Sequence, residues 1–266
     1  RSPSLAAPRS SFEAIDNPDF SSPAIESAGK CEVICFTSDY EASFKDLSHR
    51  QIRTVLEAWR DRTAELSELS YIEYIAAFEN RGQEVGVTLN HPHGQIYAYS
   101  YLPPKAERAL AVANAHKKKT GNILLEDILA RELSDKVRIV AQNEEWVAYV
   151  PYASRYPFEI HLAPRRSVPD FIALDEAASD AFAPLAKEVL LRLDGVFGVT
   201  MPYIASWHQA PVRVGRDVTR LHWQIASVRR APGKLKYLAG SESAFGAFMM
   251  DLKPEQSAAQ LRDVAL

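Results

Sequence analysis

The stretch NHPHGQIYAY, residues 90–99, sets His91, His93 and Gln95 two residues apart. On an extended strand, side chains two apart share a face, so two imidazoles and a carboxamide look out from one small surface. Packing explains such a surface poorly, because buried histidines need partners and two beside a glutamine make a costly core. A metal suits imidazole but needs a third and fourth ligand, and the neighbouring sequence offers poor candidates. Nucleophilic attack on phosphorus fits the detail best. A neutral imidazole can displace a leaving group at phosphorus, giving a phosphoramidate that a second acceptor resolves. In that reading Pro92 stiffens the backbone before the attacking ring and Gly94 lets a phosphate approach the main chain. Gln95 donates its amide to a non-bridging oxygen as charge shifts in the transition state.

The elements that must position these residues come from periodicity. The pair Ser48 and Gln51 forms a capping-box pattern ahead of a helix striped by Ile52, Val55, Leu56, Trp59 and Leu66. CEVICF reads as a buried strand, YIEYIAAF alternates as a strand, and HPHGQIYAYSYLP follows as another. Later, PFEIHL, MPYIASW and LHWQIASV read as strands around a helix over 173–193. Asp175 can cap that helix, and Pro184 inside it predicts a late start or a kink. Two further strands, Val137–Gln142 and Trp146–Val150, precede the second set, with no counterpart before Cys31.

The chain therefore nearly repeats itself. Glu32 matches Glu159 and FKDL matches FIAL at an offset of 127 residues, while Phe78 matches Trp207 and HGQI matches HWQI at 129. Common order and near-constant offset imply an α+β fold of two copies of one unit, antiparallel sheets with packed helices, related by a pseudo-twofold. The expected layout is a loop-like lead-in over 1–30, a first copy over 31–110 lacking its leading strands, and a second copy over 111–266 ending in a loop and helix. An edge left open by missing strands is a liability unless covered.

Composition bounds the rest. With 47% apolar and 24% charged residues among 266, the chain is an ordinary globular protein. A net charge of −3 argues against broad nucleic-acid binding. No apolar run approaches a membrane span, and RSPSLAAPRSSF lacks the apolar core of a signal peptide. Cys31 and Cys35 are too far apart along a strand for easy bridging and read as buried reduced thiols of a cytoplasmic protein.

Taken in order, FEN at 78–80, NHPHGQIYA at 90–98 and LKYLAGSE at 235–242 resemble the galactose-1-phosphate uridylyltransferase family, a branch of the histidine-triad superfamily. PFEIHLAPRR and HWQI fall between them at the family's places, and the likeness runs from about Arg1 to the C-terminus. The resemblance implies two histidine-triad-like repeats and ping-pong transfer in a cytoplasmic galactose pathway. UDP-glucose gives its uridylyl group to His93, and galactose 1-phosphate then takes it. It makes Gln95 the phosphate-side donor and Asn80 and Thr88 nucleotide-site residues. It places Lys236, Tyr237, Ser241 and Glu242 against the hexose phosphate, reaching across to a neighbouring subunit of a homodimer, with Gly240 serving the turn. Lys236 can neutralise phosphate and Glu242 can accept from sugar hydroxyls.

Departures from the family set further expectations. Some members bind zinc through an upstream C-x-x-C pair, a histidine and the first histidine of H-P-H. Here Tyr40 stands at the histidine's place, so no zinc is expected, and His91 positions the loop around His93 instead. Of the residues that hold iron in some members only His208 is present, with Ala109, Ala226 and Val228 at the other places, so no metal or other cofactor is expected. His222 repeats His93, but Trp223 replaces Gly94 and its bulk implies a structural histidine. The arginines and strands that the family's N-terminal segment supplies around the nucleotide are lacking, which leaves room for a complementary N-terminal polypeptide. Two rivals follow: a related nucleotidylyltransferase or phosphorylase acting on ADP-sugars or dinucleoside polyphosphates, and a nucleotide-sugar-binding chain that needs a partner.

Overall fold

A computed structural model describes residues 28–266; the lead-in expected over 1–30 lies, up to residue 27, outside the described residues. Helix α1, His49–Ser67, starts at the expected box: the Gln51 amide donates to Ser48 Oγ, and Ser48 N–H donates to the Gln51 carboxamide at 2.9 Å. Its stripe of Ile52, Val55, Leu56, Trp59 and Leu66 is buried. Helix α4, Glu176–Gly195, follows Asp175 directly, whose carboxylate accepts from the Ala178 N–H at 2.9 Å. Pro184 lies inside this helix without delaying its start, because the cap fixes the first turn two turns earlier.

Eight strands form one antiparallel sheet: β1 (Gly29–Cys35), β2 (Tyr74–Arg81), β3 (His93–Tyr99), β4 (Ile139–Gln142), β5 (Trp146–Tyr149), β6 (Phe158–Pro164), β7 (Tyr203–His208) and β8 (His222–Ser227). Their order is β1-β3-β2-β7-β8-β6-β5-β4, so the two copies join through β2 and β7 into a continuous sheet that reads alike outward from that junction. Phe78 pairs with Ser206 at the junction. Gln95 pairs with Phe78 and Gln224 with Ser206, and the row ends on Val33 and His161.

This register corrects two of the sequence matches. Val33 and His161 are equivalent, as are Phe78 and Ser206, which puts both strand pairs at an offset of 128 residues. Glu32 is therefore not the counterpart of Glu159, nor Phe78 of Trp207. A one-residue slip reverses the face. Glu32 turns toward α1 and accepts from Arg62 at 2.7 and 2.8 Å, whereas Glu159 turns to the opposite face and meets Gln224. The match between His93 and His222 at 129 stands, as does that between two short 3-10 turns that bury Phe44 and Phe171.

Helices α1 and α4 cover one face of the sheet, where Trp59, Trp207, Trp223, Phe171 and Phe182 pack ring on ring. Each buried aromatic ring of this kind removes well over 100 Å² of apolar surface from water, roughly 150–250 Å². Cys31 and Cys35 are exposed rather than buried. They share the other face of β1 with Val33, which is 64% exposed, because only the alternate residues of this edge strand meet α1. Helices α2 (Pro104–Thr120) and α3 (Leu124–Asp135), which the strand and stripe patterns did not anticipate, lie over the second half of that other face. The chain ends in a small ribbon of β9 (Arg229–Ala231) and β10 (Lys234–Leu235), then α5 (Gly240–Phe245) and α6 (Pro254–Arg262).

Candidate active site

His93 opens β3, and its ring is fixed by the main chain just before it. Nδ1 donates to the His91 carbonyl at 2.7 Å. A carbonyl oxygen only accepts, so in the neutral ring Nδ1 carries the proton and Nε2 carries the lone pair. The carbonyl is itself held, because the next one, of Pro92, accepts from the Phe36 N–H at 3.0 Å and ties the turn to the end of β1. His91 thus positions His93 through its backbone. Its own ring lies outside β3, with Nε2 buried and unpartnered among the described residues.

Gln95 faces the same side two residues on. Its Oε1 accepts from the Tyr97 hydroxyl at 3.2 Å, which leaves the amide hydrogens directed away from that bond and free to donate. Tyr97 is held in turn by the Phe78 ring, edge-on at 5.1 Å. Asn80 lies on this face too, two residues beyond Phe78 on β2. Glu79 pairs with Gly94, so Asn80 stands one step further, beside His93. Thr88 is exposed in the loop between β2 and β3.

Gly94 serves a different purpose from the one its neighbours imply. It points to the helix-covered face, where an added Cβ would come within 2.9 Å of the Phe36 ring. Glycine is required there by core packing, not by a phosphate. By the same alternation Trp223 points into the core, stacked on Trp207 at 5.7 Å, and does not obstruct His222. The steric argument for an idle His222 is thereby removed.

The second copy differs instead in its hydrogen bonding. His222 Nδ1 donates to the Arg220 carbonyl at 3.1 Å, repeating the His93 arrangement. Gln224, however, donates its amide to Glu159 at 2.6 Å and accepts from His208 Nε2 at 2.8 Å. Burial opposes charge on Glu159, but the bond from His161 and the Arg155 backbone N–H outweigh it and hold its carboxyl down to about 2. Burial carries His208 down to about 4 and His222 well below its ordinary value, so both rings are neutral near pH 7. Sequence reasoning missed Glu159 and His161 as members of this cluster; the strand alternation of PFEIHL would have shown that they share a face.

The C-terminal residues form their own knot. Lys236 donates to Glu242 at 2.5 Å and to the Met249 carbonyl, and Ser241 Oγ donates to the Ala247 carbonyl. Lys236 first, then the Ala239 and Met249 backbone N–H groups, hold the Glu242 carboxyl down to about 2. Tyr237 is 80% exposed and Gly240 begins α5. Among the described residues the hydrogen bonds of this knot do not reach His93 or Gln95. The donors needed for the family's metals do not fit either: Tyr40 points outward, Ala109, Ala226 and Val228 carry no ligand atom, and His208 is engaged by Gln224. No cluster of three His, Cys, Asp or Glu side chains among the described residues could hold a metal ion.

Fold and site together define an internally duplicated α+β protein whose first copy presents a tautomer-fixed histidine beside a carboxamide held through its oxygen alone among the described residues. Residues 7–103 match the family described as galactose-1-phosphate uridyl transferase, N-terminal domain, and residues 110–266 match its C-terminal domain. The chain belongs to the galactose-1-phosphate uridyl transferase family. It is 45% identical over 251 residues to the galactose-1-phosphate uridylyltransferase of Streptomyces lividans, covering 90% of this chain and 70% of the relative. It is 34% identical over 241 residues to that of Thermotoga maritima, covering 90% and 75%. A solved uridylyltransferase structure superposes with a TM-score of 0.84 at 32% identity over 88% of this chain and 74% of that one. An ADP-glucose phosphorylase from Arabidopsis thaliana, solved with bound ADP-glucose, shares the fold with a TM-score of 0.81 at 24% identity, covering 90% and 74%. No helix of the described residues is long and apolar enough to cross a membrane.

Proposed function

We propose that this chain moves a uridylyl group between UDP-glucose and galactose 1-phosphate in two half-reactions through a covalent uridylyl-histidine at His93. The observation that carries the reading is the bond from His93 Nδ1 to the His91 carbonyl, since it leaves Nε2 with the lone pair. Nε2 attacks the α-phosphorus of UDP-glucose, the bond from that phosphorus to the bridging oxygen breaks, and glucose 1-phosphate departs with the electron pair. The ring gains positive charge as the N–P bond forms, and the Nδ1–H bond to a carbonyl strengthens as it does so. A phosphate oxygen of galactose 1-phosphate then attacks the same phosphorus and the N–P bond breaks, which restores the neutral ring and yields UDP-galactose. Gln95 donates to the non-bridging oxygen in both steps, a contribution of roughly 2.7–4 kcal/mol for one oriented donor. Asn80 and Thr88 contact the nucleotide.

The names of the relatives at 45% and 34% identity support this choice of substrates. The knot of Lys236, Tyr237, Gly240, Ser241 and Glu242 is proposed to meet the hexose phosphate of a second copy's site in a cytoplasmic homodimer, because among the described residues its bonds do not reach His93 or Gln95 of the same chain. The test is exchange of labelled glucose 1-phosphate into UDP-glucose with no galactose 1-phosphate present, run in parallel with ADP-glucose. Exchange with UDP-glucose alone is expected. Exchange that requires the acceptor would reject the two-step path, and preference for ADP-glucose would move the chain to a phosphorylase-like reaction.

A further inference from the structure

The second half of the open sheet face carries a cavity that the reaction above does not use. Its floor is His161, His208, His222 and Gln224, its roof is α2 and α3, and its volume is about 680 Å³, inside the range of about 300–1,000 Å³ usual for small-molecule sites. The His208 and His222 rings stack at 4.9 Å with planes 12° apart, and His161 stands 5.2 Å from His222. Leu110 and Leu125 make the roof apolar. The remaining wall is cationic, with Lys105, Arg108 and Arg155. Of these three only Arg155 reaches a carboxylate among the described residues, Glu159 at 3.5 Å. Partial burial and then the Arg155 guanidinium push the Lys105 ammonium below its ordinary value, against the opposing pull of the Glu159 carboxylate.

We propose that this cavity is a second ligand site that holds a nucleoside phosphate, with the base between the imidazole floor and the apolar roof and the phosphate against Lys105, Arg108 and Arg155. A flat heteroaromatic ring matches such a floor and roof, since imidazoles offer both stacking faces and hydrogen-bonding edges. A phosphate satisfies three cations that lack a full complement of carboxylates. The site binds without transferring. Gln224 is held on both sides, its amide donating to Glu159 and its oxygen accepting from His208, so its carboxamide is fixed toward the protein, whereas Gln95 is held through its oxygen alone. This site is built from the second copy's own geometry and stands apart from the proposed transfer at His93.

The test is equilibrium dialysis of the full chain against radiolabelled UMP and, separately, radiolabelled AMP. Ala109 is exposed on α2 and lines the cavity, so Ala109→Trp fills the space without touching the His93 site. That variant is expected to bind one equivalent fewer than the wild type while still gaining a uridylyl group at His93. Lys105→Glu, which leaves the cavity open, is expected to weaken the same equivalent at least about tenfold. Equal stoichiometry and affinity in the wild type and both variants would overturn the inference. Loss of the equivalent in Ala109→Trp with no covalent group at His93 in any form would reject the transfer mechanism and leave this site standing.

Discussion

The Glu159 carboxylate accepts the Gln224 amide at 2.6 Å, and this bond distinguishes two otherwise parallel histidine-glutamine pairs. In the first copy the equivalent Gln95 bonds, among the described residues, only to the Tyr97 hydroxyl, so its amide remains for a ligand. Opposite consequences follow for the two glutamines. Gln95→Ala should slow transfer by about 10²–10³-fold, the scale of one lost oriented donor, with the melting temperature unchanged. Gln224→Ala should leave transfer intact but cost about 1–3 kcal/mol of stability, because a buried carboxylate loses a donor. Turnover and denaturant unfolding of both variants check the crossing; parallel effects would contradict it.

In the proposed reaction Tyr97 acts through Gln95. Tyr97→Phe keeps the ring against Phe78 but frees the carboxamide to rotate. A fall in kcat of about threefold to tenfold with little change in KM is expected, since orientation matters most where charge develops. In a Gln95→Ala background the same substitution should change nothing further. An equal fall in both backgrounds would place Tyr97 elsewhere in the mechanism.

Gly94 separates packing from chemistry. Its missing Cβ faces Phe36, whose ring packs edge-on against Phe44 at 5.2 Å and Trp59 at 5.9 Å. Gly94→Ala should therefore destabilise the fold by about 1–3 kcal/mol, as overpacking does. Molecules that remain folded at low temperature should still take a uridylyl group. A variant of unchanged stability that no longer transfers would restore the idea that glycine makes way for phosphate.

Two buried carboxyls give opposite pH responses. Burial raises Glu79 to about 7, against the opposing pull of Arg81 and the Tyr203 hydroxyl. The folded state therefore holds a proton that the unfolded chain releases near 4.5, and this stabilisation is lost as pH rises from about 4.5 to about 7. Glu159, depressed to about 2, contributes stability above about 4.5 that is lost as pH falls toward 2. Glu79→Gln should flatten the decline above pH 4.5 and Glu159→Gln the decline below it. Thermal melts from pH 3 to pH 8 measure both slopes, and a variant with the wild-type profile would refute its assignment.

Much of this was legible in the chain itself. The cap of Ser48 and Gln51, the stripe through Trp59 and the alternation in HGQIYAY are local signals, and the structure repeats them. The duplication was legible in order and only approximately in register, since matching Glu32 to Glu159 by letter ignored the face each must occupy. Cys31 and Cys35 were misread because an apolar run does not reveal that its strand lies at an edge. Helix α2 was missed for want of an apolar stripe, although Pro104 at its first turn and Gly121 at its end, with φ of 83°, are the usual punctuation. The purposes of Gly94 and Trp223 were hidden for a different reason. Adjacent strand residues face opposite ways, so a motif read as one string combines a site with part of the core.

The central claim is the covalent step at His93, and intact mass of the purified chain after incubation with UDP-glucose alone measures it most directly. A gain of one uridylyl group is expected, labile to acid, carried by the peptide containing His93 and missing in His93→Ala. No gain, or a gain that persists in His93→Ala, would contradict it.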